Sequence, residues 1–230
     1  MTRFAFEPQP VANVALVGSE LRLPVHRIYC VGRNFAEHAK EMGAEVSRGT
    51  PVFFMKPADA IVSGGGTVPY PPGTSDLHHE VELVVALGQD SDGIIAVNDA
   101  LSYVYAYGVG LDLTRRDLQA QAKEKRLPWD TAKGFDCSAP VSALVPVAQA
   151  GHDFSRRLWL TVNDQLRQQA PLSDMVFGVA EIIHELSRLF ALRAGDLIFM
   201  GTPAGVAALQ RGDAFEAGID GMVRFSGRIT

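Results

Sequence analysis

The run His78-His79-Glu80-Val81-Glu82-Leu83-Val84-Val85 passes within a few residues from polar side chains to branched apolar ones. That change reads as a strand entering a core. Side chains alternate across a strand, so Glu80 and Glu82 share a face. Two carboxylates on one face, followed directly by Val84, Val85, Ala86 and Leu87, are costly to bury unless a positive group lies between them. A divalent cation on hard oxygen ligands is the simplest such group. The same spacing also fits a solvated strand end carrying two surface acids.

A chain of 230 residues, 47% hydrophobic, suits one domain with a core that needs no staples. The net charge is -5, and Lys and Arg are not clustered, so nucleic acid is not an expected partner. Cys30 and Cys137 lack metal-type spacing and read as free thiols. No basic-then-apolar leader opens the sequence, and no apolar run reaches the roughly 18 residues of a membrane span. The expectation is a soluble, cytoplasmic protein with no membrane partner.

The elements around the central run follow from local pattern. Residues 1–24 read as one or two edge strands ending at Pro24. Arg27–Val31, Val52–Met55, Tyr103–Leu111 and Gly195–Met200 read as core strands. Ser63-Gly64-Gly65-Gly66 lacks the Lys-Ser/Thr of a phosphate loop and reads as a turn between strands. Asn163-Asp164 reads as a hairpin turn whose polar neighbours need no function. Val179, Ile182, Ile183, Leu186 and Leu189 form a helical stripe, with His184 in a structural or exposed position.

Several polar residues fall where chemistry can use them. Asn34 can cap a short helix that Gly43 ends, with His38 and Glu41 three apart on one face. A carboxylate beside an imidazole fixes its tautomer and raises its basicity, as a water-activating base requires, although an ordinary surface pair has the same spacing. Residues 44–51 could form a lid. The Tyr103–Leu111 strand delivers Asp112. Thr114 reads as the cap of a helix running to about Arg126, on which Arg116 and Gln119 share a face. With Glu80 and Glu82, Asp112 makes three carboxylates, which leave about three of six octahedral positions open on Mg²⁺ or Mn²⁺. Lys133, in the 127–136 loop, can set a cation against a carbonyl or enolate oxygen. Thr202, in the small-residue turn Gly201–Val206, offers a hydroxyl and an N–H to a carboxylate.

These motifs, taken in order, resemble the fumarylacetoacetate hydrolase superfamily, in particular its short acylpyruvate and fumarylpyruvate hydrolase branch. The resemblance rests on Ile28–His38, Phe54–Pro57, His78–Leu83, Leu111–Asp117, Leu127-Pro128-Trp129 with Lys133, and Gly201–Val206. It implies a mostly β, α+β fold: a mixed β-sandwich roll with few helices. Residues 1–24 would be a short β appendage packed on a catalytic domain of residues 25–230. It implies Mg²⁺ or Mn²⁺ on Glu80, Glu82 and Asp112. His38 and Glu41 would activate water, Lys133 would stabilise charge, and Arg116, Gln119 and Thr202 would contact the substrate carboxylate. Arg33 is a further candidate for substrate contact. The implied assembly is a homodimer, and the implied substrate a small 2,4-dioxo acid. The expected reaction is cleavage of the C–C bond of a 3-acylpyruvate, with fumarylpyruvate giving fumarate and pyruvate in gentisate-type aromatic catabolism. An oxaloacetate decarboxylase, an isomerase or hydratase of ring-cleavage products, and a non-catalytic module that binds metal and dicarboxylates are the alternatives.

Overall fold

A computed structural model describes residues 2–41 and 48–230. Strands dominate. The central sheet has eight strands, and its order runs Val52–Lys56, Ile28–Gly32, Leu197–Phe199, Val81–Leu87, Val104–Leu111, Ala139–Val141 and Ile61–Ser63, with Val145–Pro146 also paired to Val104–Leu111. A five-stranded sheet packs against it, with neighbours in the order Gln165–Pro171, Arg157–Val162, Ala214–Ile219, Val223–Ile229 and Gly65–Val68. This is the mixed β fold expected, and no helix among the described residues is long and apolar enough to cross a membrane.

The Val81–Leu87 strand is buried along its whole length because both of its faces meet apolar layers. Val81, Leu83, Val85 and Leu87 join the larger core with Tyr107, Val109, Leu111, Leu158 and Leu160. Val84 and Ala86 face the smaller core with Cys30, Ala106, Val141 and Phe199. Glu82 has the parity of Val84 and Ala86, so the even face of this strand turns from apolar to acidic at one end. The antiparallel neighbour does the same. Glu82 stands opposite Gly110 and Val81 opposite Leu111, and one step further the Asp112 N–H donates to the Glu80 carbonyl at 2.8 Å. The register therefore puts Glu80, Glu82 and Asp112 on one face of one sheet end.

Two other strands bring their ends to the same place. Leu197–Phe199 pairs with Val81–Leu87 and, in parallel, with Ile28–Gly32. Gly201–Gly205 and Arg33–Asn34 thus emerge beside the acids. The first strands, Asn13–Ala15 and Arg22–Pro24, form their own two-stranded ribbon, and Val14, Leu16 and Leu23 pack into the smaller core.

Four local expectations change. Asn34 does not cap the Ala36–Glu41 helix: its amide donates to the Phe177 and Met200 carbonyls at 3.0 and 2.8 Å, and its Oδ1 accepts from Phe177 N at 2.8 Å. Distant backbone groups left unpaired between elements win over the local cap. Thr114 sits in a two-residue strand, and Arg115 holds the N-cap position of the Arg116–Lys125 helix. Asp117 is occupied by the Thr74 hydroxyl at 2.7 Å. Residues 130–133, expected within a loop, form a short helix, Asp130–Lys133. Leu189 lies past the Val179–Ser187 helix and is exposed. Gly43 and residues 44–47 of the expected lid lie outside the described residues. The Asn163-Asp164 turn and the break between Ile61–Ser63 and Gly65–Val68 are as read from sequence, and both cysteines are free.

Gly201 has φ +92, and a Cβ there would lie 2.7 Å from Asn34 Cβ and 3.1 Å from the Val31 carbonyl oxygen. An L side chain is therefore both strained and blocked. Gly201→Ala is expected to lower stability by roughly 1–3 kcal/mol, read as a drop in the urea midpoint; an unchanged midpoint would mean the turn is not held as described.

Candidate active site

The acidic sheet end forms the floor of a cleft of about 440 Å³ lined by Arg33, His38, Glu80, Glu82, Asp112, Arg116, Gln119, Lys123, Trp129, Lys133 and Thr202 among others. All ten residues singled out from sequence meet here: Glu41, which does not line the cleft, touches His38 within it. Ligand-type oxygens of Glu80, Glu82 and Asp112 lie within 4.8 Å of one another, and all three residues are buried.

Three cations answer the three acids. Lys133 Nζ bridges Glu80 Oε2 at 2.7 Å and Asp112 Oδ2 at 2.5 Å. Arg116 reaches Glu80 Oε1 at 2.5 Å and donates from its other nitrogen to Gln119 Oε1 at 2.6 Å. Lys56 Nζ, fully buried, lies 2.8 Å from Asp112 Oδ1 and donates to the carbonyls of Leu113 and Lys133. Lys56 thus ties the Asp130–Lys133 helix to the strand end. The sequence contained it only as part of the Phe54–Pro57 motif; a lysine closing an otherwise apolar strand was the available signal.

The acids are not equally satisfied. Burial alone would raise the Glu80 carboxyl, but Lys133 and then Arg116 outweigh it and hold Glu80 far below the usual carboxylate range. Glu82 goes the other way, pushed well up by burial and then by Asp112 and Glu80. It accepts one hydrogen bond from the Gly201 N–H at 2.7 Å. Asp112 Oδ1 is buried and accepts no hydrogen bond, although Lys56 Nζ is ion-paired to it at 2.8 Å. Lys133 keeps its proton firmly: burial opposes the charge, and Asp112 and Glu80 more than restore it. A buried acid raised by its acidic neighbours, next to a carboxylate oxygen with no hydrogen bond, is what hard oxygen ligands for a dication look like without the ion.

His38 stands above the acids. Its Nδ1 lies 3.3 Å from Glu41 Oε2, and Glu41 is held from behind by the Gly205 N–H, 3.2 Å from each carboxylate oxygen. A proton on Nδ1 leaves the Nε2 lone pair free as a base. Burial lowers the imidazole's proton affinity below its ordinary value of 6.5, with Glu80 and Glu41 opposing. Thr202 is buried at the cleft wall, its hydroxyl accepting from Gln168 Nε2 at 2.8 Å. Arg33 is exposed at the mouth and takes a left-handed φ of +60. Lys123, which the sequence reading missed, is half-buried there, 5.5 Å over the Trp129 ring. Burial, then Arg116 and Arg33, lower its pKa.

The sequence and the fold match known proteins. Residues 27–230 match the fumarylacetoacetate (FAA) hydrolase C-terminal family. The chain belongs to the fumarylacetoacetate hydrolase family. Among its family relatives, mitochondrial oxaloacetate tautomerase FAHD1 of Rattus norvegicus is 46% identical over 196 residues, covering 85% of this chain and 88% of the relative. Mitochondrial oxaloacetate decarboxylase of Dictyostelium discoideum is 39% identical over 197 residues, 85% of this chain and 89% of the relative. The crystal structure of the Pseudomonas aeruginosa fumarylpyruvate hydrolase, in complex with Mn²⁺ and pyruvate, superposes with a TM-score of 0.95 at 41% identity, covering 99% of both chains. Glu80, Glu82 and Asp112 of this fumarylacetoacetate hydrolase family member are grouped so that they could hold a metal ion, and the Pseudomonas aeruginosa protein is in complex with Mn²⁺.

Metal binding and folding are linked through that triad. Mn²⁺ at a hundred times its Kd is expected to stabilise the protein by about 2.7 kcal/mol, seen as a rise in Tm. Glu82→Gln keeps an oxygen for the Gly201 N–H and removes a like charge. It is expected to leave the Tm without metal unchanged or higher, and to abolish the rise with Mn²⁺. A full Mn²⁺ response in Glu82→Gln would remove Glu82 from the ligand set.

Proposed function

We propose that this protein is a metal-dependent hydrolase of 3-acylpyruvates with an anionic acyl end, of which fumarylpyruvate is the best fit. The observation that carries this reading is the His38–Glu41 pair beside the acidic triad. Binding a dicarboxylate needs no buried base, and decarboxylation needs no attacking water.

Glu80, Glu82 and Asp112 would hold Mg²⁺ or Mn²⁺, which when bound supplies a Lewis acid for the keto oxygen and the enolate derived from it. The protein residues do the rest. Arg116, Gln119 and Thr202 orient the pyruvyl carboxylate. His38, its Nδ1–H turned to Glu41, takes a proton from water at Nε2, and the water oxygen bonds to the distal acyl carbon. Lys133, fully protonated at the floor, offsets charge developing on the adduct. The C–C bond then breaks with its electron pair left on the pyruvyl fragment, which is reprotonated to pyruvate, and the acyl group leaves as a carboxylic acid.

Charge selects the substrate class. Three cations already match three acids, so a bound dication leaves the cleft positive, and Arg33 and Lys123 at its mouth add to that field. Neither has an ion-pair partner among the described residues. Together with the Trp129 face they offer the distal end of the substrate a cationic rim, which fits a fumaryl carboxylate better than an acetyl group.

A second reading is favoured by the 46% identical tautomerase and the 39% identical decarboxylase: proton transfer on, or decarboxylation of, oxaloacetate. That dianion fits the same rim, and both reactions pass through enolate chemistry.

Loss of absorbance should be followed on fumarylpyruvate, acetylpyruvate and oxaloacetate, with Mn²⁺ and with chelator. The expected result is Mn²⁺-dependent cleavage favouring fumarylpyruvate. His38→Ala should lower its kcat by about 10²–10⁴-fold. The acid limb of wild-type kcat/KM should lie below pH 6.5, because a neutral His38 is required and burial lowers its pKa. Lys123→Met should raise KM for fumarylpyruvate about tenfold and spare acetylpyruvate. Fast oxaloacetate turnover with negligible acylpyruvate cleavage would replace the hydrolase reading with the second one.

A further inference from the structure

Behind the cleft wall lies a buried chain of hydrogen bonds that ends on Thr202. Gln168, 1% exposed, projects from the Gln165–Pro171 strand. Its Oε1 accepts from Val81 N at 3.1 Å and lies 2.8 Å from His79 Nδ1. Its Nε2 donates to Thr202 Oγ1 and to the Pro203 carbonyl, each at 2.8 Å.

The directions of these bonds are fixed by two groups with no choice. A backbone N–H only donates, so the amide atom facing Val81 must be the oxygen. A backbone carbonyl only accepts, so the atom facing Pro203 must be the nitrogen. It follows that His79 carries its proton on Nδ1. It follows too that both amide hydrogens of Gln168 are committed, one of them to Thr202 Oγ1. The Thr202 hydroxyl is then an acceptor on its buried side, and its own hydrogen is left for the cleft it lines; among the described residues it donates to no other group.

The geometry points to Gln168 as a positioning residue: it makes Thr202 a dedicated hydrogen-bond donor toward an anionic oxygen in the cleft, and pins the Gly201–Gly205 turn that carries it. The turn has wider reach, since Gly201 N–H holds Glu82 and Gly205 N–H holds Glu41. Gly205 itself has φ +97 and packs so closely under the same strand that a Cβ would lie 2.2 Å from the Arg167 carbonyl oxygen. The Gln165–Pro171 strand is therefore the anvil on which the turn is set. This inference rests on the reading of Thr202 as a contact to the substrate carboxylate.

Gln168→Glu tests it with little change in shape. The new carboxylate can only accept, so the bond to the Pro203 carbonyl is lost, and Thr202 must turn its hydrogen back toward residue 168 and present lone pairs to the cleft. The probe is oxalate, a planar dianion of pyruvate-enolate shape, titrated calorimetrically into Mn²⁺-loaded protein. Thr202→Val is expected to raise the oxalate Kd about tenfold, as for one lost hydrogen bond to an anion. Gln168→Glu should do the same in the wild-type background and add less than about twofold on top of Thr202→Val. ¹⁵N spectra should place the wild-type His79 proton on Nδ1. An equal loss from Gln168→Glu in both backgrounds, no loss in either, or a proton on Nε2 alone would overturn the assignment. Failure of wild-type Mn²⁺ protein to bind oxalate would overturn it as well. If the cycle holds while no 2,4-dioxo acid is turned over, the positioning role stands and the proposed reaction falls.

Discussion

Three carboxylates almost without solvent access stand at the end of two paired strands, and cations from the surrounding structure hold them close. Isolated, such acids would protonate or drive the strand ends apart. Here Lys133, Arg116 and Lys56 approach from three separate elements. They leave an imbalance rather than removing it: Glu80 is strongly ionised, Glu82 is pushed toward neutrality. A dication resolves that imbalance in one step, which links the metal to the stability of the sheet end as well as to chemistry.

The Gly201–Gly205 turn is the second organising element. Its backbone N–H groups reach Glu82 of the triad on one side and Glu41, behind His38, on the other, with Thr202 between them. Fixed main-chain dipoles cost nothing to orient when charge moves, so a turn of this kind suits a site where an anion binds and charge shifts. The requirement for glycine at positions 201 and 205 is steric as much as conformational, because Asn34 and the Arg167 carbonyl press against them.

Much of the site was legible in the sequence because it obeys short-range rules. The two-residue period put Glu80 and Glu82 on one face, and the three-residue step put His38 beside Glu41. The alternating Tyr103–Leu111 run delivered Asp112. What the sequence could not carry was long-range. Asn34 reads as a cap because caps are local, yet its amide is claimed by Phe177 and Met200. Gln168 reads as a polar hairpin residue because nothing local distinguishes it from Gln165 or Gln169. Its role arises only when the five-stranded sheet is laid against the strand end of Val81–Leu87. Lys123 and Lys56 were hidden in the same way: the helix charge pattern and the strand pattern are ordinary, and only the packing turns those amines inward.

In the proposed reaction the imidazole above the triad delivers water to an acyl carbon. Fumarylpyruvate cleavage in H₂¹⁸O with Mn²⁺-loaded protein, followed by mass spectrometry of the products, measures this directly. One ¹⁸O is expected in the carboxylate newly formed on fumarate in each turnover. Fumarylpyruvate left uncleaved, while oxaloacetate is enolised or loses CO₂ under the same conditions, would contradict it.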